Sequence, residues 1–342
     1  MEHEKNRQGL AVSRAEAGQK LLNFLQRRVD APTGDFHRWI RTGQVRVNGT
    51  RAKAFDRVAE GDMVRVPPFA VFLPAGSGET KERSERPGHA GQKTHPSAAR
   101  SAASSLSIVY EDEDVIVIAK PAGLPVQGGT GHSDSIASRL AAERAGADFV
   151  PAPVHRLDKD TTGLLVAGKT YAAVRLLTDA LAGRSGKAPR KEYLAWVQGR
   201  WPFAPEDGPQ ELHDFLAKDQ KAQRMKTVRG PQEGKTEGQE ARCVVTALET
   251  RRIPDGQKGQ EYSLLLVRLL TGRTHQIRVQ LASRGHAIVG DPWYGTGADG
   301  LKLHAFRLSL PLPDGESRTL ELLPPWKGAW KVINSALPKE KP

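Results

Sequence analysis

From residue 71 to residue 106 the chain reads VFLPAGSGETKERSERPGHAGQKTHPSAARSAASSL, rich in Gly, Ser, Pro, Ala and charge and without an apolar period. Such a stretch buries too little apolar surface to offset the entropy of ordering it, so it reads as a flexible linker. It confines folding to two separate parts, residues 1–70 and 107–335, with residues 336–342 as a tail. A chain of 342 residues has room for two such domains and a sizeable core.

The front part mixes short helices with short strands, the pattern of a small α/β domain. Leu21, Leu22, Leu25 and Val29 lie at helical spacing within residues 19–29. Asp35 can cap a second helix, with Phe36, Trp39 and Ile40 on its apolar side and Arg38 and Arg41 on the other. Residues 45–47 form a strand that ends in Asn48-Gly49, a strong hairpin signal, and Pro67-Pro68 stops a later strand over 63–66.

In the long rear part, strands are expected over 115–119, 164–167, 193–198 and 262–270, and helices over 172–182 and 275–284. There are too few helices between strands for regular βαβ units. The fold class is therefore α+β, with a mixed, largely antiparallel sheet. The polar stretch 218–239, with Lys218, Lys221, Arg224, Lys226 and Arg229, reads as an exposed basic hairpin or loop.

Charge narrows the partners. Lys and Arg number 51 against 39 Asp and Glu, a net +12. Phosphate contacts by such side chains release counterions and supply affinity for a polyanion, so RNA or DNA fits better than a merely solubilising surface. No apolar run approaches the ~18 residues of a membrane span, and the first residues lack a secretory apolar stretch. With Cys243 alone, neither an intramolecular disulfide nor a cysteine zinc cluster can form, and a cytoplasmic setting is expected. No P-loop, dinucleotide fingerprint or HExxH occurs, and the histidines show no ligand spacing. Taken singly, His275, His286 and His304 read as structural hydrogen-bonders.

Two polar clusters interrupt apolar surroundings. In VHRLDKDTTGLLVAG, His155, Arg156, Asp158, Lys159 and Asp160 crowd a turn just before a buried strand, where loops carry function. In TGRTHQIRVQL, Arg273 and Arg278 flank a helix start, which is already positive; their presence there suggests an anionic partner. One cluster offers carboxylates and the other arginines. Taken alone, Asp158 reads as a turn-capping residue.

VHRLDKDTTGLLVAGKT and LLTGRTHQIRVQLASRGHAIVGDPWYG resemble signatures of the RluA-type pseudouridine synthases. YEDEDVIVIAKPAGLPV, RKEYLAWVQG and LHAFRLSLPLP are similar to further motifs of that family, in the expected order over essentially all of 107–335. HRWIRTGQVRVNGTRAKAFDRVAEGDMVRVP in turn resembles the S4 RNA-binding domain, which implies that Arg38, Arg41 and Arg46 contact phosphates. The S4 domain and Gly128-Gly129-Thr130-Gly131 bring the chain nearest the pseudouridine synthase C branch, which acts on large-subunit (23S) ribosomal RNA. Gln127 stands where many relatives have histidine.

The resemblance implies isomerisation of a uridine within RNA, without cofactor or metal, by a cytoplasmic and monomeric enzyme. Asp158 would be the nucleophile on a flipped-out uridine, attacking ribose C1′ or uracil C6. Arg278 would pair with it, Tyr193 would stack on the uracil, and Ile277 would close the apolar side. Arg156, Arg273 and His275 would bind substrate, with Arg156 holding the vacated position. Rival readings are a non-catalytic ribosome assembly factor, a synthase acting on tRNA, and a hydrolase releasing free uracil.

Overall fold

A computed structural model describes residues 9–73, 105–128, 134–184, 189–228, 230, 238–254, 259–297, 299–313, 315–334 and 337–338. Within them the chain forms two compact units. One comprises the described parts of residues 1–106, 137–152 and 168–174, and the other those of residues 107–136, 153–167 and 175–342. Most of the expected linker, and Gly129 to Gly131, lie outside the described residues.

In the first unit, helices α1 (Leu21–Arg28) and α2 (Thr33–Arg41) bury Leu21, Phe24, Leu25, Phe36, Trp39 and Ile40 against Val12, Val45, Val58 and Val64. Spacing of three and four residues puts these side chains on one face of each helix. Asp35 is not the cap that the sequence suggests. Pro32 occupies that position and Asp35 lies in the first turn, paired with Arg38 at 2.9 Å. Strands Gly9–Ala11, Met63–Arg65, Arg46–Val47 and Thr50–Arg51 form an antiparallel sheet in that order. Its hairpin turns at Asn48 (φ 50°) and Gly49 (φ 78°), the left-handed pair that a two-residue turn between twisted strands requires. Val71–Phe72, assigned to the linker by composition, instead pairs with Val29–Asp30.

The second unit is built on an 11-stranded sheet among the described residues. Every strand pairing whose register is defined there is antiparallel, except that of Thr162–Gly168 with Leu303–Pro311. Its interior strands are near-continuous apolar runs because both faces are covered. Leu194, Trp196, Leu264, Leu266, Val289 and Phe306 form one core cluster, against which Leu337 packs. Pro338 O accepts a hydrogen bond from Arg307, so the expected tail is tied down at its start. The described start of the basic stretch is a hairpin, Gln210–Asp219 returning as Arg224–Val228, with Asp219 opposite Arg224, while Arg229 lies outside the described residues. No helix among the described residues is long and apolar enough to cross a membrane.

One cross-strand row fixes the later geometry. Gly163 lies beside Ala305, Ala305 beside Tyr193, and Tyr193 beside Val267. Gly163 has φ +116°, and a Cβ there would sit 2.3 Å from Ala305 O, so only glycine permits this close parallel approach. A register shift between Glu192 and Tyr193 interrupts the pairing with Leu303–Pro311, and such bulges re-aim side chains. Glu192 itself is buried and paired with the equally buried Arg307 at 2.7 Å.

Candidate active site

Asp158 is four residues ahead of the strand Thr162–Gly168, on a turn held from several sides. The buried Lys120 closes the strand Val115–Lys120 and donates its ammonium protons to Lys159 O (2.7 Å), Thr161 O (2.8 Å) and Pro121 O (2.9 Å). Burial lowers this lysine to about 8, opposed by the charges of Asp160 and Asp158. Three carbonyl acceptors can be served only by the ammonium form. The Thr161 N–H closes the turn onto Asp158 O at 3.1 Å, and Leu157 is buried beneath it. The Asp158 side chain emerges 18% exposed.

Arg278 comes to it from α5 (Gln276–Ala282), whose residues 276–281 are all buried. Its Nη1 donates to Asp158 Oδ2 at 3.0 Å. Nε and Nη2 form a bidentate pair with Asp291, both at 2.8 Å. Asp291 is fully buried and also accepts the N–H groups of Trp293 (2.9 Å) and Tyr294 (3.1 Å). Burial by itself would raise the Asp291 carboxyl, but Arg278 and these N–H groups hold it below its usual range. For Arg278, burial works against the charge, while Asp291 and then Asp158 raise the guanidinium above its ordinary value. A cation in the first turn of a helix, unfavourable to the helix dipole, is thus answered by two carboxylates.

Both partners of the Asp158 carboxylate meet Oδ2. His275 Nε2 is 3.8 Å from it, and among the described residues nothing donates to Oδ1. His275 lies at the left-handed entry to α5 (φ 53°), its Nδ1 3.1 Å from Tyr294 Oη. Burial lowers this imidazole, with the Asp158 charge acting in the opposite direction. Tyr193 is buried on its strand. Burial first, and the Asp158 charge second, raise its phenol above the usual range.

The remaining expected residues divide. Ile277 is buried in α5 next to Arg278. Arg156 is exposed on the Asp158 turn. Arg273 is exposed, and its Nε donates to Glu240 O at 2.9 Å; it is not brought to Asp158. In the first unit Arg38 and Arg41 are exposed. Arg46 is half-buried and donates to Gly43 O and Gly49 O, which engages its guanidinium with its own hairpin. Asp291, Lys120 and Tyr294 went unrecognised in the sequence, although AKPAG and GDPWYG lie within the family-like segments.

Two histidines brace the strand behind the Asp158 turn, and burial favours the neutral form of each. His304 Nε2–H donates to Leu322 O (2.8 Å), leaving Nδ1 to accept from the Thr162 hydroxyl (2.7 Å). His155 Nε2 accepts the Val166 N–H at 3.1 Å. Burial pushes each to about 4. In the unfolded chain these rings take up protons near 6.5, so the unfolded state holds more protons between about pH 6.5 and 4. Stability is then lost as pH falls through that window, by at most ~1.4 kcal/mol per pH unit for each ring. Urea unfolding at pH 7 and pH 5 is expected to show the loss, smaller in a His304→Asn variant. A pH-independent unfolding free energy would mean the rings are charged in the folded protein.

Among the described residues the fold thus presents a carboxylate with a donor on one oxygen only, in a chain carrying net charge +12, an arrangement suited to chemistry on a polyanion. Comparison with known proteins narrows this chemistry. The RNA pseudouridylate synthase family matches residues 114–283. Ribosomal large subunit pseudouridine synthase C of Escherichia coli O157:H7 is 33% identical over 340 residues, covering 92% of this chain and 96% of that protein. Its namesake in Salmonella typhimurium (strain LT2) is 33% identical over 335 residues, covering 94% of each chain. Among solved structures, human RNA Pseudouridylate Synthase Domain Containing 1 shares the fold. The TM-score is 0.52 at 24% identity, covering 68% of this chain and 87% of that one. The chain belongs to the RNA pseudouridylate synthase family, and the RluA-type resemblance read from its motifs is borne out.

Proposed function

We propose that this enzyme converts specific uridines of large-subunit ribosomal RNA, or its precursor, to pseudouridine, with Asp158 as nucleophile. The reading is carried by one observation: Asp158 Oδ2 is fixed by Arg278 while Oδ1 has no donor among the described residues. That leaves one oxygen with lone pairs to attack and the other to hold the carboxylate's angle. Attack at ribose C1′ or at uracil C6 would each give a covalent adduct. The N1–C1′ bond breaks, the base turns, C5 bonds to C1′, the bond from Asp158 to C1′ or C6 breaks to return the free carboxylate, and the proton on C5 is lost. Tyr193 would stack on the uracil and Ile277 would close the apolar side of the pocket.

The target base has to leave its stack, at a cost of a few kcal/mol. Arg156, exposed on the same turn as Asp158, is suited to hold the vacated place. The front domain, an S4-type RNA-binding module over about residues 1–70, would add phosphate contacts through Arg38 and Arg41, and Arg46 fewer, given its internal hydrogen bonds. The relatives' names supply the choice of RNA, and action as a cytoplasmic monomer is part of the proposal.

A large-subunit RNA transcript labelled with tritium at uracil C5 tests the reading. Tritium is expected in water at one equivalent per pseudouridine, with no free uracil. Free uracil would indicate a hydrolase, and no release from this RNA but release from tRNA would move the substrate.

A further inference from the structure

We propose that Trp293 and Arg224 form a stacking subsite for an RNA base adjacent to the target uridine. Trp293 is 47% exposed, and it is the only tryptophan among the described residues to leave so much indole in solvent. An exposed indole beside a reaction site is informative in a way that scattered surface leucines are not. Its peptide is clamped on both sides. The N–H goes to Asp291 Oδ1 at 2.9 Å, and the carbonyl accepts from Arg224 Nη1 across from the hairpin.

Its ring is held too. The His275 imidazole meets it edge-on at 4.9 Å, and the Arg278 guanidinium stands 6.0 Å from its centroid. The two side chains near Asp158 Oδ2 therefore also face the Trp293 ring. Beside the indole opens a concavity of about 410 Å³, lined by Ala222, Gln223, Arg224 and Trp293. The hairpin tip on its far side is fixed by Asp219 Oδ1, which accepts the N–H groups of Lys221 (3.0 Å) and Ala222 (3.1 Å). Lys221 and Arg224 are exposed cations at this tip.

A rigid aromatic face with flanking cations is what a single-stranded nucleotide needs. Stacking on such a ring is sequence-tolerant and contributes ~1–3 kcal/mol per base, and the cations meet the phosphate. Tyr193 is on a separate strand and is reserved for the target uracil in the functional reading on which this subsite rests. The subsite therefore serves the neighbouring nucleotide.

The test uses the full chain and a short synthetic RNA spanning a uridine that the parent protein converts. Trp293→Ala is expected to raise KM roughly 5- to 100-fold, with a smaller effect on kcat, because the backbone contacts of residue 293 remain while the ring loses its edge contact with His275. Trp293→Phe should recover most of the loss. Replacing flanking nucleotides one at a time with abasic ones should identify one position whose removal costs the parent a similar factor and costs Trp293→Ala nothing more. An unchanged KM in Trp293→Ala, or equal abasic losses in both proteins, overturns the subsite alone. A parent protein that converts no uridine removes the functional reading, and the subsite with it.

Discussion

Asp158→Asn is expected to lower pseudouridine formation by about four to six orders of magnitude, the scale on which removing a nucleophile acts. RNA affinity should change little. Asparagine keeps the shape of the side chain and can still present an oxygen to Arg278 Nη1, so the 3.0 Å contact has a replacement. What it loses is the second carboxylate oxygen, the one with no donor among the described residues, which becomes an amide nitrogen and cannot attack. Gel-shift affinity and single-turnover conversion on the same transcript separate binding from chemistry. Retained conversion would mean that another group, with Asp160 the nearest carboxylate in sequence, carries the reaction.

The second large effect concerns Arg278, where stability and activity are tied together. Arg278→Met removes two of the four donors from Asp291, whose carboxylate is fully buried. Breaking a buried pair in this way typically costs ~3–5 kcal/mol, because an uncompensated charge stays behind. The sign with pH is specific. In the parent, Asp291 is held below its usual value, so its share of stability is present above about pH 4 and lost as pH falls further. Without Arg278, burial raises that carboxyl, and the variant's penalty should shrink as pH is lowered from 7 toward 5. Arg278→Lys keeps a charge but not the planar fork that meets three carboxylate oxygens. It should fold better than Arg278→Met yet convert uridine on the order of a hundredfold more slowly, since Asp158 loses its alignment. Urea unfolding of both variants at pH 7 and 5 checks the first part and single-turnover rates the second. A Met variant as stable as the parent would show that Asp291 is adequately served by the Trp293 and Tyr294 N–H groups.

What could be read in advance follows from range. The helix stripes around Leu21 and Phe36, the Asn48-Gly49 turn and the strand over Val115 to Ala119 are short-range patterns, and each appears where the periodicity places it. The charge pattern showed a carboxylate-rich turn and a cation at a helix start, but Asp158 and Arg278 were legible as a pair only through the family resemblance. Asp291 was legible in principle. An aspartate whose side chain can take the N–H groups two and three residues on is a common turn device, and the fully buried Arg278–Asp291 fork needed a second anion. It was hidden because a turn aspartate and a buried counter-ion look alike in sequence.

Lys120 was hidden for another reason. A lysine ending an apolar strand usually extends its head to water, and only the arrival of the 159–161 turn, some forty residues on, adds two carbonyls to that of the adjacent Pro121. Gly163 owes its identity to Ala305 on a distant strand, and Arg46 folds back on its own hairpin, which charge counting cannot foresee. The linker boundary was misplaced because Val71 and Phe72 finish a two-stranded pairing with Val29 and Asp30 that composition does not reveal.

The most direct test of the whole account is a pseudouridine map of total RNA from cells lacking this gene, then carrying the parent gene or its Asp158→Asn form. A defined set of pseudouridines in large-subunit ribosomal RNA should disappear on deletion, return with the parent and stay absent with Asp158→Asn. Their return with Asp158→Asn, or a map unchanged by the deletion, would contradict it.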